Sequence, residues 1–218
     1  DLSGNTLTNA SNITLSDDAA PAVTGAATHD EDNDAEIDRI SVNFSENLQD
    51  SASSYSSAFN ISNGSILGIE NTVSDNSKLA LNVSKVGGTG FVPNLTMYNE
   101  TVFDESGNSA SIKQKFNTVE DLADPVLLNS QLDPVKSGSD YSFIQMSFSE
   151  NVTGTSGESE EIRVQNQSGY VRNGVFQINK ENDTHSINYT RVLQTGRNPN
   201  ITATENIVDD NGNPVALE

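Results

Sequence analysis

With 218 residues, the chain is long enough for two domains of ordinary size. Its formal net charge is −20, from 31 acidic against 11 basic residues, which argues against a nucleic-acid partner and for bound cations or salty surroundings. Cysteine is absent, which excludes disulfides and thiolate metal sites, and no apolar window reaches the length of a membrane span.

Only 33% of the residues are hydrophobic and 6% aromatic, but they fall in short alternating runs broken by Gly, Asn, Asp and Ser, so the predicted elements are strands throughout. In chain order the first strands are predicted at Ala22–Thr28, Asp38–Phe44, Phe59–Ile61, Ser65–Val73, Lys78–Ser84, Asn94–Phe103 and Ala110–Val119. The series continues with Val126–Gln131, Tyr141–Phe148, Glu161–Gln165, Gly174–Lys180, Ser186–Leu193 and Asn200–Val208. Ile40, Val42 and Phe44 alternate with polar residues, as do Ile144, Met146 and Phe148, and both sets are predicted to face a core.

The chain repeats itself. TLSDDAAPAV (Thr14–Val23) matches TVEDLADPVL (Thr118–Leu127), and ISVNFSENL (Ile40–Leu48) matches IQMSFSENV (Ile144–Val152). Pro21 to Pro125 and Phe44 to Phe148 are both 104 residues apart. A Gly-Asn turn after acidic residues recurs at Asp1–Asn5, Asp104–Asn108 and Asp210–Asn213. This predicts an all-β chain of two tandem Ig-like β-sandwich domains, residues 20–122 and 123–218, the second lacking its own last strand. Residues 1–19 are then a spare last strand, with Leu7, Ile13 and Leu15 as its apolar positions. Two explanations stand open: a fragment of a longer array cut at equivalent loops, or a donor strand that completes the next copy's open sandwich, which builds a head-to-tail filament.

Between the first two strands lies HDEDNDAEIDRI, with Asp30, Asp32, Asp34, Glu36 and Asp38 on alternate positions. Charge packed this densely is costly unless a cation offsets it, and alternate carboxylates around a tight loop are suited to Ca²⁺, which takes 6–8 oxygen ligands. The loop resembles the DxDxDGxxD calcium loops of extracellular repeats. That resemblance implies side-chain oxygens from Asp30, Asp32, Asp34 and Asp38 and a main-chain oxygen from Glu36. Ala35 stands where such loops have Gly, so a positive φ there would carry strain. The loop is not an EF-hand, since its twelfth position is Ser41 rather than Glu. In the second repeat the four aspartates fall on Pro134, Lys136, Gly138 and Ser142, so only the first repeat should bind here. A further group of acids recurs with the repeat or lies at its joins: Asp17, Glu46, Asp104, Asp121, Asp124, Glu150 and Asp209. Cadherin-like arrays hold calcium at their joins with such residues.

Thirteen Asn-x-Ser/Thr sequons begin at Asn9, Asn12, Asn43, Asn60, Asn63, Asn82, Asn94, Asn99, Asn151, Asn166, Asn182, Asn188 and Asn200. Composition predicts about 5 or 6, so the excess points to a secreted surface carrying N-linked glycans, and with the acidity it fits an archaeal, halophilic exterior. The Pro-Val entry, the acidic loop, the strand ending in Phe-Ser-Glu and the closing Gly-Asn turn resemble the Ig-like repeats of bacterial and archaeal surface proteins: S-layers, adhesins and filaments. The resemblance implies an extracellular structural subunit whose partners are copies of itself or adjacent repeats. No GxSxG, HExxH or P-loop pattern is present, so no enzymatic activity is expected. A carbohydrate-binding module is the reading from another class, with Tyr55, Tyr98, Tyr141, Tyr170 and Tyr189 as its only tyrosines and no Trp.

Overall fold

The structure is a computed structural model that describes residues 15–49, 55, 57–72, 75–84, 86–98, 101–110, 115–116, 119–133, 142–154, 162–165, 171–174, 184–189, 200–203 and 206–216. Among these residues there is no α-helix, and the fold is all-β. The strands of the first repeat are β1 (Val23–His29), β2 (Arg39–Phe44), β3 (Phe59–Ile61), β4 (Ile66–Thr72), β5 (Asp75–Val83), β6 (Leu95–Met97), β7 (Lys115–Phe116) and β8 (Val119–Asp121). They form a five-stranded sheet in the order β4-β5-β2-β1-β8 and a three-stranded sheet in the order β3-β6-β7.

The core lies between these two sheets. Ile40 and Val42 of β2 and Leu79 and Leu81 of β5 face Phe59 and Ile61 of β3 and Leu95 and Met97 of β6, all buried. Burying each such side chain stabilises by roughly 1.5–3 kcal/mol. The alternation of β2 delivers the expected inward face, ending on Phe44. Tyr55 also belongs to this core, with its hydroxyl donating to the Gln49 carbonyl at 2.9 Å, so it is not part of an exposed aromatic platform. Among the described residues, β8 is parallel to β1 and closes that edge of the sheet, pairing Ala26 with Val119 and Thr28 with Asp121.

The second repeat contains β9 (Leu127–Asp133), β10 (Ser142–Phe148), β11 (Val152–Gly154), β12 (Ile162–Gln165), β13 (Val171–Gly174), β14 (Thr184–Tyr189), β15 (Asn200–Ala203) and β16 (Ile207–Asp209). They pair as β14-β10-β9, β13-β12-β15 and β11-β16. The register is the informative part. Thr28 pairs with Ile40 and Ala26 with Val42, and Leu132 pairs with Ile144 and Ser130 with Met146. Even the irregularity recurs: Val23 meets Phe44, and Leu127 meets Phe148, each beside a register shift. Sequence periodicity and backbone pairing therefore repeat at one offset. Among the described residues, β9 differs from β1 in one respect: nothing pairs with its outer edge.

The differences from the predicted elements are local. The predicted strand Asn94–Phe103 shortens to β6, and the predicted strand Ala110–Val119 splits into β7 and β8. The short strand β11 was not predicted, since three residues carry too little alternation to register. In place of the predicted Gly174–Lys180 strand, β13 ends at Gly174, and residues 175–180 lie outside the described residues. No helix among the described residues is long and apolar enough to cross a membrane.

Candidate metal centres

Acidic side chains converge at three places, each a group that could hold a metal ion: Asp30 with Asp32 and Asp38, Asp17 with Glu46 and Asp104, and Asp121 with Glu150 and Asp209. Within each group, one carboxylate oxygen per residue lies within 4.8 Å of the others.

The first group sits in the loop from β1 to β2. Asn33 and Ala35 take positive φ, 57° and 73°, so the loop does place a left-handed residue at Ala35. Such a conformation costs a non-glycine residue about 1–2 kcal/mol. Hydrogen bonds hold it: Asp30 accepts from the Ala35 N–H at 2.9 Å and from the Asp34 N–H at 3.3 Å, and Asp32 accepts from the same Asp34 N–H at 3.3 Å. Asp38 accepts from the Glu31 N–H at 3.2 Å. Burial pushes the Asp30 and Asp38 carboxyls above their ordinary range, and neighbouring acids add to the effect. Asp34 stands apart from the trio, its Oδ1 accepting from the Glu36 N–H at 3.0 Å. Glu36 forms an antiparallel bridge to Gly88, and the Ile37 N–H donates to Gly87, so the loop leans on the segment Val86–Phe91. The second-repeat counterparts Pro134, Lys136 and Gly138 lie outside the described residues.

The other two groups are copies of one another. Each joins an aspartate ahead of the repeat's first strand, the glutamate of Phe-Ser-Glu-Asn, and the aspartate opening a Gly-Asn turn. The turns match closely. Asp104 accepts from the Asn108 N–H and Nδ2, both at 2.7 Å, and Asp209 accepts from the Asn213 N–H and Nδ2, both at 2.8 Å. Gly107 and Gly212 sit at φ 90° and 94°, where a side chain is strained. Burial pushes Asp104 up, but the hydrogen bonds from Asn108, Ser106 and Gly107 outweigh it and hold the carboxyl below its usual range.

The copies differ in how they are covered. Around Asp121, Thr28 donates its hydroxyl to Oδ1 at 3.1 Å, and Asp121 is 5% exposed. The Val86–Phe91 segment of the first repeat closes over Glu150, with Thr89 hydrogen-bonded to Ser149 at 2.6 Å. Gly90 lies close against it: a Cβ there would stand 2.9 Å from Glu150 Oε2 and 3.0 Å from its Cβ, so a side chain at this position would displace the Glu150 carboxylate. A cavity of about 410 Å³, lined by Gly90, Asp121, Glu150 and Asn211, opens at this seam. Glu150 Oε1 is buried without a hydrogen-bond partner. Burial, reinforced by Asp121, Asp209 and Asp210, pushes the Glu150 carboxyl up to about 7. Burial also raises Asp121 and, with Asp209, Asp124, which stands apart from the trio. Around Asp17, the aspartate and Glu46 lie nearer solvent, and Glu46 is raised by burial and by Asp17 and Asp104.

All three sets offer hard carboxylate oxygens and no nitrogen or sulfur, the donor chemistry of Ca²⁺ and Mg²⁺ rather than of zinc or copper. The orphaned Glu150 oxygen suits an incoming cation, which would supply the missing partner. Sequence reasoning gave the repeat-linked acids less weight than the Asp30 loop, because their members are scattered over nearly ninety residues; their shared offset was the available signal. Compared with models of known protein families and with curated protein sequences, the chain matches none.

The sequons divide by position. Asn60, Asn63, Asn94 and Asn151 are exposed, while Asn43 and Asn82 are half-buried, on β2 and β5 of the larger sheet. Asn188 lies on β14 and Asn200 on β15; Asn9, Asn12, Asn99, Asn166 and Asn182, and with them Leu7 and Ile13, lie outside the described residues.

Proposed function

We propose that this chain is an extracellular structural subunit of a cell-surface filament, assembled head to tail by strand donation and stabilised by calcium and N-linked glycans. The observation that carries the reading is the pair of matching acidic groups at equivalent points of the two repeats. One of them, Asp121 with Glu150 and Asp209, is built from the linker and the second repeat and roofed by a segment of the first. A cation there would tie linker, turn and strand end together at a seam that gathers Asp121, Glu150 and Asp209. Rigid joints between β modules are what a stalk or filament needs. The Asp30 loop, which leans on the same Val86–Phe91 segment, would add a further calcium position.

The test is thermal unfolding in millimolar calcium and in chelator. A ligand at about one hundred times its Kd adds about 2.7 kcal/mol per site, so calcium should raise Tm by several degrees. Asp32→Ala with Asp34→Ala should remove one part of the gain, and Glu150→Gln with Asp121→Asn another. Equal Tm in calcium and chelator would overturn the calcium reading.

A further inference from the structure

The edge of β9 and the segment around Leu15 are two halves of one contact that the first repeat already makes internally. In the first repeat, β8 lies parallel to β1, with Val119 beside Ala26, Glu120 beside Ala27 and Asp121 beside Thr28. This pairing buries both sides: Val119 is 6% exposed, Ala26 5% and Ala27 6%. Moving each partner by the 104-residue offset gives Ser130, Gln131 and Leu132 on β9, and Leu15, Ser16 and Asp17 ahead of the first repeat. Both counterparts are open. Ser130 and Gln131 are exposed, β9 is an edge strand among the described residues, and Leu15 is 87% exposed. An exposed leucine holds the place of a core valine, and an unpaired edge holds the place of a paired one.

The surroundings follow the same rule. Asn213 Nδ2 donates to the Asp121 carbonyl at 2.9 Å, and Asn108 Nδ2 donates to the Asp17 carbonyl at 3.0 Å. The Ala123 N–H donates to Asp121 Oδ1 at 3.2 Å, and the Ala19 N–H to Asp17 Oδ1 at 3.1 Å. The Val126 N–H donates to Ser149 Oγ at 2.9 Å, and the Ala22 N–H to Ser45 Oγ at 3.0 Å. Leu15–Asp17 therefore enters its repeat as Val119–Asp121 enters the next, held in the same backbone setting but, among the described residues, with no strand paired to it.

We infer that Leu15–Asp17 of one copy pairs in parallel with Ser130–Leu132 of a second copy, so that the contact between chains reproduces the joint within the chain. This rests on the head-to-tail reading and adds to it the donor residues, the acceptor strand, the direction and the register. Leu15 is placed beside Ser130, where its side chain takes the role of Val119. The pairing also gives hydrogen-bond partners to an edge that would otherwise expose them. One contact is not reproduced: Leu132 stands where Thr28 donates to Asp121, so Asp17 gains no such hydroxyl.

The chain has no cysteine, so introduced thiols report the register directly. Parallel neighbours about 5 Å apart are within disulfide range. Under mild oxidation, the Leu15→Cys, Ser130→Cys double variant should give a ladder of covalent multimers on a non-reducing gel. Mass spectrometry should find the link between positions 15 and 130. Leu15→Cys with Asn129→Cys, which places the second thiol on the opposite face, should give no ladder. Leu15→Lys, at a site too exposed to be needed for folding, should abolish association of the otherwise native chain in light scattering. If the wild-type chain polymerises but no link between positions 15 and 130 forms, the register is wrong while head-to-tail assembly stands. If the wild-type chain stays monomeric and no ladder forms, both are overturned. A link within one chain, seen as a faster-migrating monomer, overturns the second copy as occupant.

Discussion

Asn213 donates its side-chain amide to both the Asp209 carboxylate, at 2.8 Å, and the carbonyl of Asp121, at 2.9 Å, and so ties the closing turn of the second repeat to the linker that precedes it. Asn108 does the same for Asp104 and Asp17. The bonds to Asp209 and Asp104 are local, but those to the Asp121 and Asp17 carbonyls each span about ninety residues of chain. Bonds to a carboxylate are the stronger kind, and removing the side-chain amide takes a hydrogen-bond partner from one oxygen of a buried aspartate. Asn213→Ala should destabilise by about 2–3 kcal/mol, and Asn108→Ala by less, since the Asp17 side of its tie is exposed to water, both measured by denaturant unfolding. A cost within about 0.5 kcal/mol, the ordinary range for a surface change, would mean that the turn is not a structural tie.

The glycines beside these asparagines test the same turns differently. A Cβ on Gly107 or Gly212 would touch nothing within 4 Å, so any cost of adding one is conformational rather than steric. With φ near 90°, Gly107→Ala and Gly212→Ala should each cost about 1–2 kcal/mol. Asn at either position should cost less, because it tolerates positive φ better. Equal costs for Ala and Asn would point to some cause other than backbone strain.

Much of this was legible beforehand, and the reasons are physical. The alternation Ile40, Val42, Phe44 has period two, which only a strand with one buried face satisfies, and β2 follows it. The repeat offset predicted equivalent strands, and the pairing of β9 with β10 keeps it residue by residue. The strained position at Ala35 was visible because a resembling loop places Gly there. Less visible was which of the acids converge. Asp34 alternates with the other acids in sequence, yet its carboxylate turns to the Glu36 N–H, because a tight loop sets direction by hydrogen bonds rather than by spacing. Hidden altogether was the roof over Glu150: nothing in Val-Gly-Gly-Thr-Gly-Phe announces that Thr89 will meet Ser149 sixty residues later.

Glu150 makes stability depend on pH in a definite direction. Its carboxyl titrates at about 7 in the folded chain, against 4.5 ordinarily. A folded pKa raised in this way means the protonated form is favoured on folding. The contribution is therefore fully present below about pH 4.5 and is lost as pH rises through 7. In chelator, this group should lower Tm between pH 5 and pH 8, and Glu150→Gln should flatten the profile over that window. In calcium the slope should be smaller, since the ion offsets the charge that deprotonation exposes. A chelator profile unchanged by Glu150→Gln would show that this carboxyl is not the group responsible.

The Asp30 loop offers a test in which calcium should change the sign of a mutation. Asp38 lies beside Asp30 and Asp32, and burial, reinforced by Asp32, Glu31 and Asp34, raises its carboxyl. Without a cation, the negative charge on Asp38 therefore works against the fold. Asp38→Asn removes that charge and keeps a carbonyl oxygen able to accept from the Glu31 N–H. In chelator the variant should be as stable as the wild type or slightly more so, by about 0–1 kcal/mol, the usual scale for a solvent-screened charge. In calcium the neutral amide is a poorer ligand than a carboxylate. A hundredfold loss of affinity, from an ion held at about one hundred times its Kd, would remove roughly 2 kcal/mol of linked stability. The variant should then melt below the wild type. Melting curves in the two conditions decide it: a difference of the same sign in both would mean that Asp38 acts through the loop's own charge balance and not through a bound ion.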